Sequence, residues 1–233
     1  MDLLKGTKFL FLLLFISFTV YGQNSDNNAV KQEVDKLMGY QASIYNGPKF
    51  FGYPSYYKET HPFFNSNIPG IGSIQYDGKY YEGIYLLYDE YKDIVVLSDQ
   101  SRLIELNTDK ITKFTINGSQ FVHFDKLYNL KDNKYDLYEF LEDGKIKLFR
   151  KEIKSKQQQI INNEFIGVFE SKVYYFILLD NKLIPITNKK QLFQLFAKEQ
   201  QGIRRLISKE KLKFRRSKEA FFRKVIAYLN NQQ

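Results

Sequence analysis

The sequence predicts a mainly β protein. An antiparallel meander, barrel-like or sandwich in form, is expected over residues 40–187, with two or three basic helices following over 188–233. Three observations carry this. From Gly72 onward, short β-branched and aromatic runs recur at close spacing, the pattern of strands. Between them stand Asp77-Gly78, Asn117-Gly118 and Asp143-Gly144, dipeptides that tolerate positive φ and favour tight hairpins; Asp180-Asn181 is a weaker example. After Pro185 the apolar residues switch to a spacing of three and four, which belongs to helices.

The chain opens with a different kind of segment. Lys5 and Lys8 precede an apolar run from Phe9 to Val20, and Val20-Tyr21-Gly22 supplies acceptable residues before a cut. That layout is a secretory signal peptide over residues 1–22, too short for a stable membrane span. Residues 23–39 read as a leader in which Val30, Val34, Leu37 and Met38 mark a short amphipathic helix over about 28–38, ending at Gly39. Residues 46–70 are dense in Gly, Pro, Asn and aromatics, which suits an extended, turn-rich segment. Strands are then expected at 80–88, 93–98, 102–107, 111–116, 120–126, 135–141, 145–153, 160–170, 173–179 and 182–187. A flat sheet of that width would leave long adhesive edges, so the sheet is expected to curl or fold over. In the tail, Asn188 caps a helix carrying Leu192, Phe193, Leu195 and Phe196; Gly202 is read as its breaker. Ile203, Leu206 and Ile207 continue a second, and Ser217 caps a third whose Phe221, Phe222, Val225, Ile226 and Leu229 share a face.

Composition narrows the chemistry. With 43% hydrophobic and 17% aromatic residues there is ample material for a core. Cysteine is absent, which excludes disulfides, a lipid-bearing cysteine, a thiol nucleophile and any thiolate metal site. The net charge of +9 is unevenly placed: residues 189–233 hold thirteen Lys or Arg against Glu199, Glu210 and Glu219, so residues 23–188 carry only −2. The tail is expected to be a solvated helical face whose apolar side docks on the body; for an exported chain the functional alternative is binding of anionic envelope lipid or polysaccharide rather than nucleic acid.

Several motifs occur in a fixed order: Tyr45-Asn46-Gly47, Pro62-Phe63-Phe64, Tyr76-Asp77-Gly78-Lys79-Tyr80-Tyr81, Leu87-Tyr88-Asp89 and Lys189-Lys190-Gln191-Leu192. In that order the chain resembles exported β-rich proteins of Bacteroidetes-type envelopes, a set without an assigned activity. The resemblance implies a compartment and an architecture but no site. Glycine usually precedes the Pro-Phe pair in that set, whereas His61 stands there here.

Catalytic signatures are sparse. His61 and His123 are the only histidines, too few for a protein zinc site without help from carboxylates. No serine lies in a Gly-x-Ser-x-Gly elbow, and no glycine-rich loop leads into a lysine and a helix. Asp89, Glu90 and Asp93 form the densest acidic group of the body and are expected to be solvated carboxylates of a hairpin turn. Paired across a cleft, Asp89 and Asp93 would instead suit a carbohydrate hydrolase. Tyr53, Tyr56 and Tyr57 are candidate aromatic contacts, with cover for a sheet edge as the expected role of their segment. Arg204, Arg205, Arg215 and Arg216, two pairs expected to flank the middle helix, are candidate contacts to an anionic surface. The reading is therefore a non-enzymatic periplasmic or secreted binding or envelope-associated protein, with no catalytic residue, cofactor or metal expected.

Export predicts a defined N-terminus. Protein recovered from its native host is expected to begin at Gln23, free or cyclised, by mass spectrometry; an intact Met1 in the cytosol would contradict this.

Overall fold

The structure, a computed structural model, describes residues 43–57, 60–99, 102–130, 135–161 and 163–232. The expected signal peptide and the leader with its helix lie outside them. Ten strands are described: β1 (Gly70–Tyr76), β2 (Lys79–Asp89), β3 (Ile94–Asp99), β4 (Arg102–Glu105), β5 (Ile111–Ile116), β6 (Ser119–His123), β7 (Leu137–Glu142), β8 (Lys147–Ile161), β9 (Glu164–Leu179) and β10 (Lys182–Ile186). A short helix α1 (Phe124–Tyr128) follows β6, and α2 (Lys189–Leu195), α3 (Gln200–Lys209) and α4 (Lys218–Asn230) follow β10. Among these residues, no helix is long and apolar enough to cross a membrane.

All ten strands pair antiparallel in one sheet, ordered β10-β9-β8-β7-β6-β5-β1-β2-β3-β4. The sheet does not close, and the expected meander is interrupted once: β5 returns to pair with β1 rather than with β4. A 3-10 turn, Thr108–Lys110, makes that crossing. It is capped by Asn107 and fixed by the Asp77 N–H donating to Lys110 O at 2.7 Å. Edges are covered instead of joined. Pro48–Phe50 run beside β4, with Glu105 N donating to Pro48 O and Phe50 N to Leu103 O, both at 2.8 Å. At the other edge β10 is short and carries Pro185, which has no N–H to offer a further strand.

The turn dipeptides behave as their chemistry requires in three cases. Asp77-Gly78, Asn117-Gly118 and Asp180-Asn181 each place both residues at positive φ, the twist-matched form of a two-residue hairpin. Asp143-Gly144 differs: it lies in a longer connection between β7 and β8, where Gly144 at φ 140° sits against Asn230. Two strands expected at 160–170 and 173–179 are one strand, β9, and β8 continues through Gln157-Gln158-Gln159 to Ile161. No glycine or proline interrupts the polar stretch 154–159, so backbone pairing carries the hairpin where the hydrophobic period fades.

Two large cores lie along the sheet. One gathers Ile74, Leu86, Tyr88, Val95, Leu97, Ile104, Phe114 and Phe121 from the first six strands. The other joins Leu148, Ile177 and Ile186 of the sheet to Leu192, Ile203, Phe221, Phe222, Val225, Ile226 and Leu229 of the helices. Asn188 and Ser217 cap α2 and α4 as expected, accepting from Gln191 N at 3.0 Å and Ala220 N at 3.2 Å. Gly202 is not a breaker. It lies within α3 where the Tyr228 hydroxyl passes 2.3 Å from the position a Cβ would take, so glycine there permits a close crossing of α4. Asn230, the last residue of α4, clamps the β7–β8 connection: Ile146 N donates to its Oδ1 at 2.9 Å, and its Nδ2 donates to Ile146 O and Asp143 O.

The stripe on α4 predicts a large, specific loss. Phe221 is 1% exposed, so Phe221→Ala should lower unfolding free energy by about 3–5 kcal/mol in a denaturant titration. The exposed neighbour Arg216→Ala should move it by less than about 0.5 kcal/mol.

Candidate functional site

The aromatic segment 50–64 serves the sheet directly. Tyr53 donates a short hydrogen bond to Asp89 Oδ2, and its ring meets Phe50, Tyr91 and Phe169 edge-on. Burial and the Asp89 carboxylate hold its hydroxyl far above the usual tyrosine range. Tyr56 O accepts from Gly167 N at 3.0 Å, and a Cβ on Gly167 would stand 2.6 Å from the Tyr57 ring. The segment thus lies on the outer edge of β9. Lys156 fills the space between the rings, its Nζ 4.8 Å from the centroids of Tyr53 and Tyr91 and 5.4 Å from Tyr57. Of the three tyrosines expected to contact a ligand, Tyr53 and Tyr57 are engaged by the chain itself, and only Tyr56 is exposed, at 43%.

Two of the three acids of the β2–β3 turn, Asp89 and Glu90, are not solvated, contrary to expectation, while the Asp93 side chain is 26% exposed. Asp89 is 0% exposed and Glu90 3%. The reason is a seam of backbone bonds: Phe64 N to Tyr88 O at 2.8 Å, Glu90 N to Pro62 O at 2.9 Å, and Lys154 N to Glu90 O at 3.1 Å. The last of these joins β8 to the end of β2, five places away in the strand order, so the open sheet curls back upon itself. Asp89 Oδ1 accepts from Tyr91 N and Lys92 N, which fixes the turn. Lys154 Nζ donates to Phe63 O at 2.6 Å and His61 O at 3.1 Å and pairs with Glu90 at 3.2 Å. Beside it, Arg150 joins Glu139 at 2.7 Å and Glu152, and Lys151 joins Asp93 at 2.7 Å. These oxygens are committed to holding the fold, which gives the hydrolase reading no support.

The cluster shifts its members' protonation. Burial, aided by the charge of Glu152 and opposed by Lys154 and Arg150, pushes the Glu90 carboxyl up to about 7. Burial also raises Asp89, against the hydrogen bonds of Tyr53 and the two turn amides. Both histidines are pushed down by burial. His123 is 4% exposed and neither ring nitrogen has a hydrogen-bond partner among the described residues. Among those residues no three His, Asp or Glu gather as metal ligands.

The helical layer presents the opposite electrostatics. Arg204, Arg205, Arg215 and Arg216 are all exposed. Arg204 and Arg205 lie within α3 rather than beside it, whereas Arg215 and Arg216 lie in the link to α4. Two open grooves mark this layer. One of about 580 Å³ is lined by Lys189, Lys190, Phe193, Gln194 and Arg204, with the Arg204 guanidinium 4.8 Å over the Phe193 ring. The other, about 390 Å³, is lined by Lys211, Lys213, Arg216, Ser217 and Phe221. Lys189 stands between them, 5.1 Å from the Phe221 centroid, and Phe214 is flanked by Lys189 and Lys218 at 5.9 Å each. The tail's acids are drawn elsewhere: Glu219 pairs with Arg223 and Glu210 with Lys224. Lys189, Lys190, Arg204, Lys211, Lys213, Arg216 and Lys218 form no ion pair among the described residues. The lysines and Phe193 were legible as charge and helical period; their convergence with Phe214 was not. No protein-family model, curated protein or solved structure matches the chain.

Glu90 gives the fold a signed pH response. From its ordinary value up to about 7 the folded chain keeps a proton that the unfolded chain releases, so its contribution to stability falls as pH rises through that window. The slope is at most about 1.4 kcal/mol per pH unit. Glu90→Gln should therefore gain on the wild type by roughly 1–3 kcal/mol between pH 5 and pH 8 in urea midpoints. The histidines act with the opposite sign in both proteins and cancel in the comparison.

Proposed function

We propose that this protein is a non-enzymatic, exported binding module that holds anionic envelope lipid or polysaccharide against the cationic face of its C-terminal helices. The observation that supports this most is the set of seven cations, unpaired among the described residues, around two grooves floored by phenylalanine. Aromatic floors let lysine and arginine stems lie flat while their charged heads reach outward, the arrangement that suits a headgroup or a sugar acid. The apolar side of α4 is consumed by the core, so the helices are anchored and their polar side is left for a partner. The signal-peptide pattern and the likeness to Bacteroidetes-type envelope proteins supply the compartment in this reading. The β-sheet is then the rigid support of the binding surface.

Each Lys or Arg near an anionic membrane contributes about 1 kcal/mol, and salt screens that attraction beyond about 8 Å at physiological strength. Binding should be measured to vesicles of anionic phospholipid and, separately, to a soluble carboxylated polysaccharide, at low and high salt. Affinity is expected to fall steeply with salt. Changing Arg204, Arg205, Arg215 and Arg216 together to Gln should weaken it on the order of 100- to 1,000-fold at low salt without moving the melting curve. Binding to vesicles alone assigns the partner to lipid, and binding to the polymer alone assigns it to glycan. No binding to either at low salt overturns the proposal.

A further inference from the structure

Lys151 and Asp93 take no part in the cationic face, and their geometry calls for a separate explanation. The Lys151 side chain is 2% exposed in β8. Its Nζ lies 2.7 Å from Asp93 Oδ1, 2.8 Å from the Tyr88 hydroxyl and 2.8 Å from Leu137 O. The Tyr88 hydroxyl in turn lies 2.7 Å from the same Asp93 oxygen. Amine, carboxyl and phenol therefore close a triangle of contacts, walled by the rings of Tyr88, Tyr135 and Tyr138 within 6.0 Å of the nitrogen. Asp93 is presented to this site by a left-handed backbone at φ 60°, at the end of a turn pinned by Asp89.

We propose that Lys151 and Asp93 are a self-modification site, condensing to an amide bond between Nζ and Cγ that ties β8 to the β2–β3 turn. One proton first moves from the ammonium to the carboxylate along their contact, giving amine and carboxylic acid. The nitrogen lone pair then adds to Cγ. Tyr88 takes the proton that the nitrogen sheds and delivers its own to Oδ1. The Cγ–Oδ1 bond breaks and the oxygen leaves as water, carrying two hydrogens. Nothing is oxidised or reduced, and no co-reactant is needed. The one N–H left on the amide retains Leu137 O as its acceptor. Desolvation pulls the Lys151 ammonium down toward the free amine, while the charges of Asp93, Glu90 and Asp136 oppose it. Replacing a buried amine and a part-buried acid by one amide beside three aromatic rings favours the product. The two residues are 58 positions apart, so the bond would give this cysteine-free chain the long covalent loop that a disulfide gives others.

The test is the intact mass of the purified, denatured full chain against the mass calculated from its own determined N-terminus. The expected result is a deficit of one water, with a tryptic map containing a branched peptide that joins the Asp93 and Lys151 segments. Lys151→Arg and Asp93→Ala should each restore the full mass. Tyr88→Phe keeps the ring in the core and should slow the appearance of the dehydrated mass after refolding. A full-mass wild type overturns the proposal, whether or not the variants fold. So does a water deficit without the branched peptide, the result expected of succinimide formation at Asp77-Gly78 or Asp143-Gly144.

Discussion

The backbone bond from Lys154 N to Glu90 O closes the curl of a sheet whose two halves are otherwise joined through β5 and β1. A ten-stranded antiparallel ribbon has no intrinsic reason to bring its second and eighth strands into register. Pro62, Phe63 and Phe64 extend the β1 side of β2 far enough to meet β8, and Lys154 stitches the meeting point with one backbone and two side-chain donations. Once this seam forms, the surrounding charges are sealed in. Burial of Glu90, commitment of Asp89 to the turn and placement of Asp93 beside Lys151 all follow from it.

Sealing has an energetic direction. Charges taken from water are stabilised only when nearly every donor and acceptor is met, and breaking one partner leaves the other exposed to the full desolvation penalty. Lys151 meets three acceptors and Arg150 contacts three carboxylates, while Glu90 Oε2 has only the Lys154 charge at 3.2 Å and no hydrogen bond, so the seam is held as a network rather than as isolated pairs. Such a network specifies one register for β8 against β7 and β2, since a shift by a single residue would turn every cation to the opposite face.

Much of the fold was legible. Hairpins at Asp77-Gly78 and Asn117-Gly118 announce themselves because only a few residues tolerate their backbone, and the α4 stripe shows because five large apolar side chains share one face. What was hidden depends on distance along the chain. Nothing local to Asp89 or Glu90 signals burial, because the residues that cover them are Tyr53, Pro62 and Lys154. Gly202 looked like a helix end because its reason for being glycine is Tyr228, on another helix. The β8–β9 hairpin was divided in the reading because polar residues on a projecting arm carry no hydrophobic period. Of the candidate site, the arginine pairs could be read, but not that Arg204 and Arg216 line separate grooves with Lys189 between them.

The Asn230 clamp sets the order in which the molecule can be completed. Ile146 and Asn230 are 84 residues apart. A chain emerging N-terminus first has made every described strand before the residue that closes the β7–β8 connection arrives. Until α4 is made, Leu148, Ile177 and Ile186 lack the cover of Phe221, Phe222, Val225, Ile226 and Leu229. This half of the core is therefore finished only once α4 has been made, long after the strands it covers.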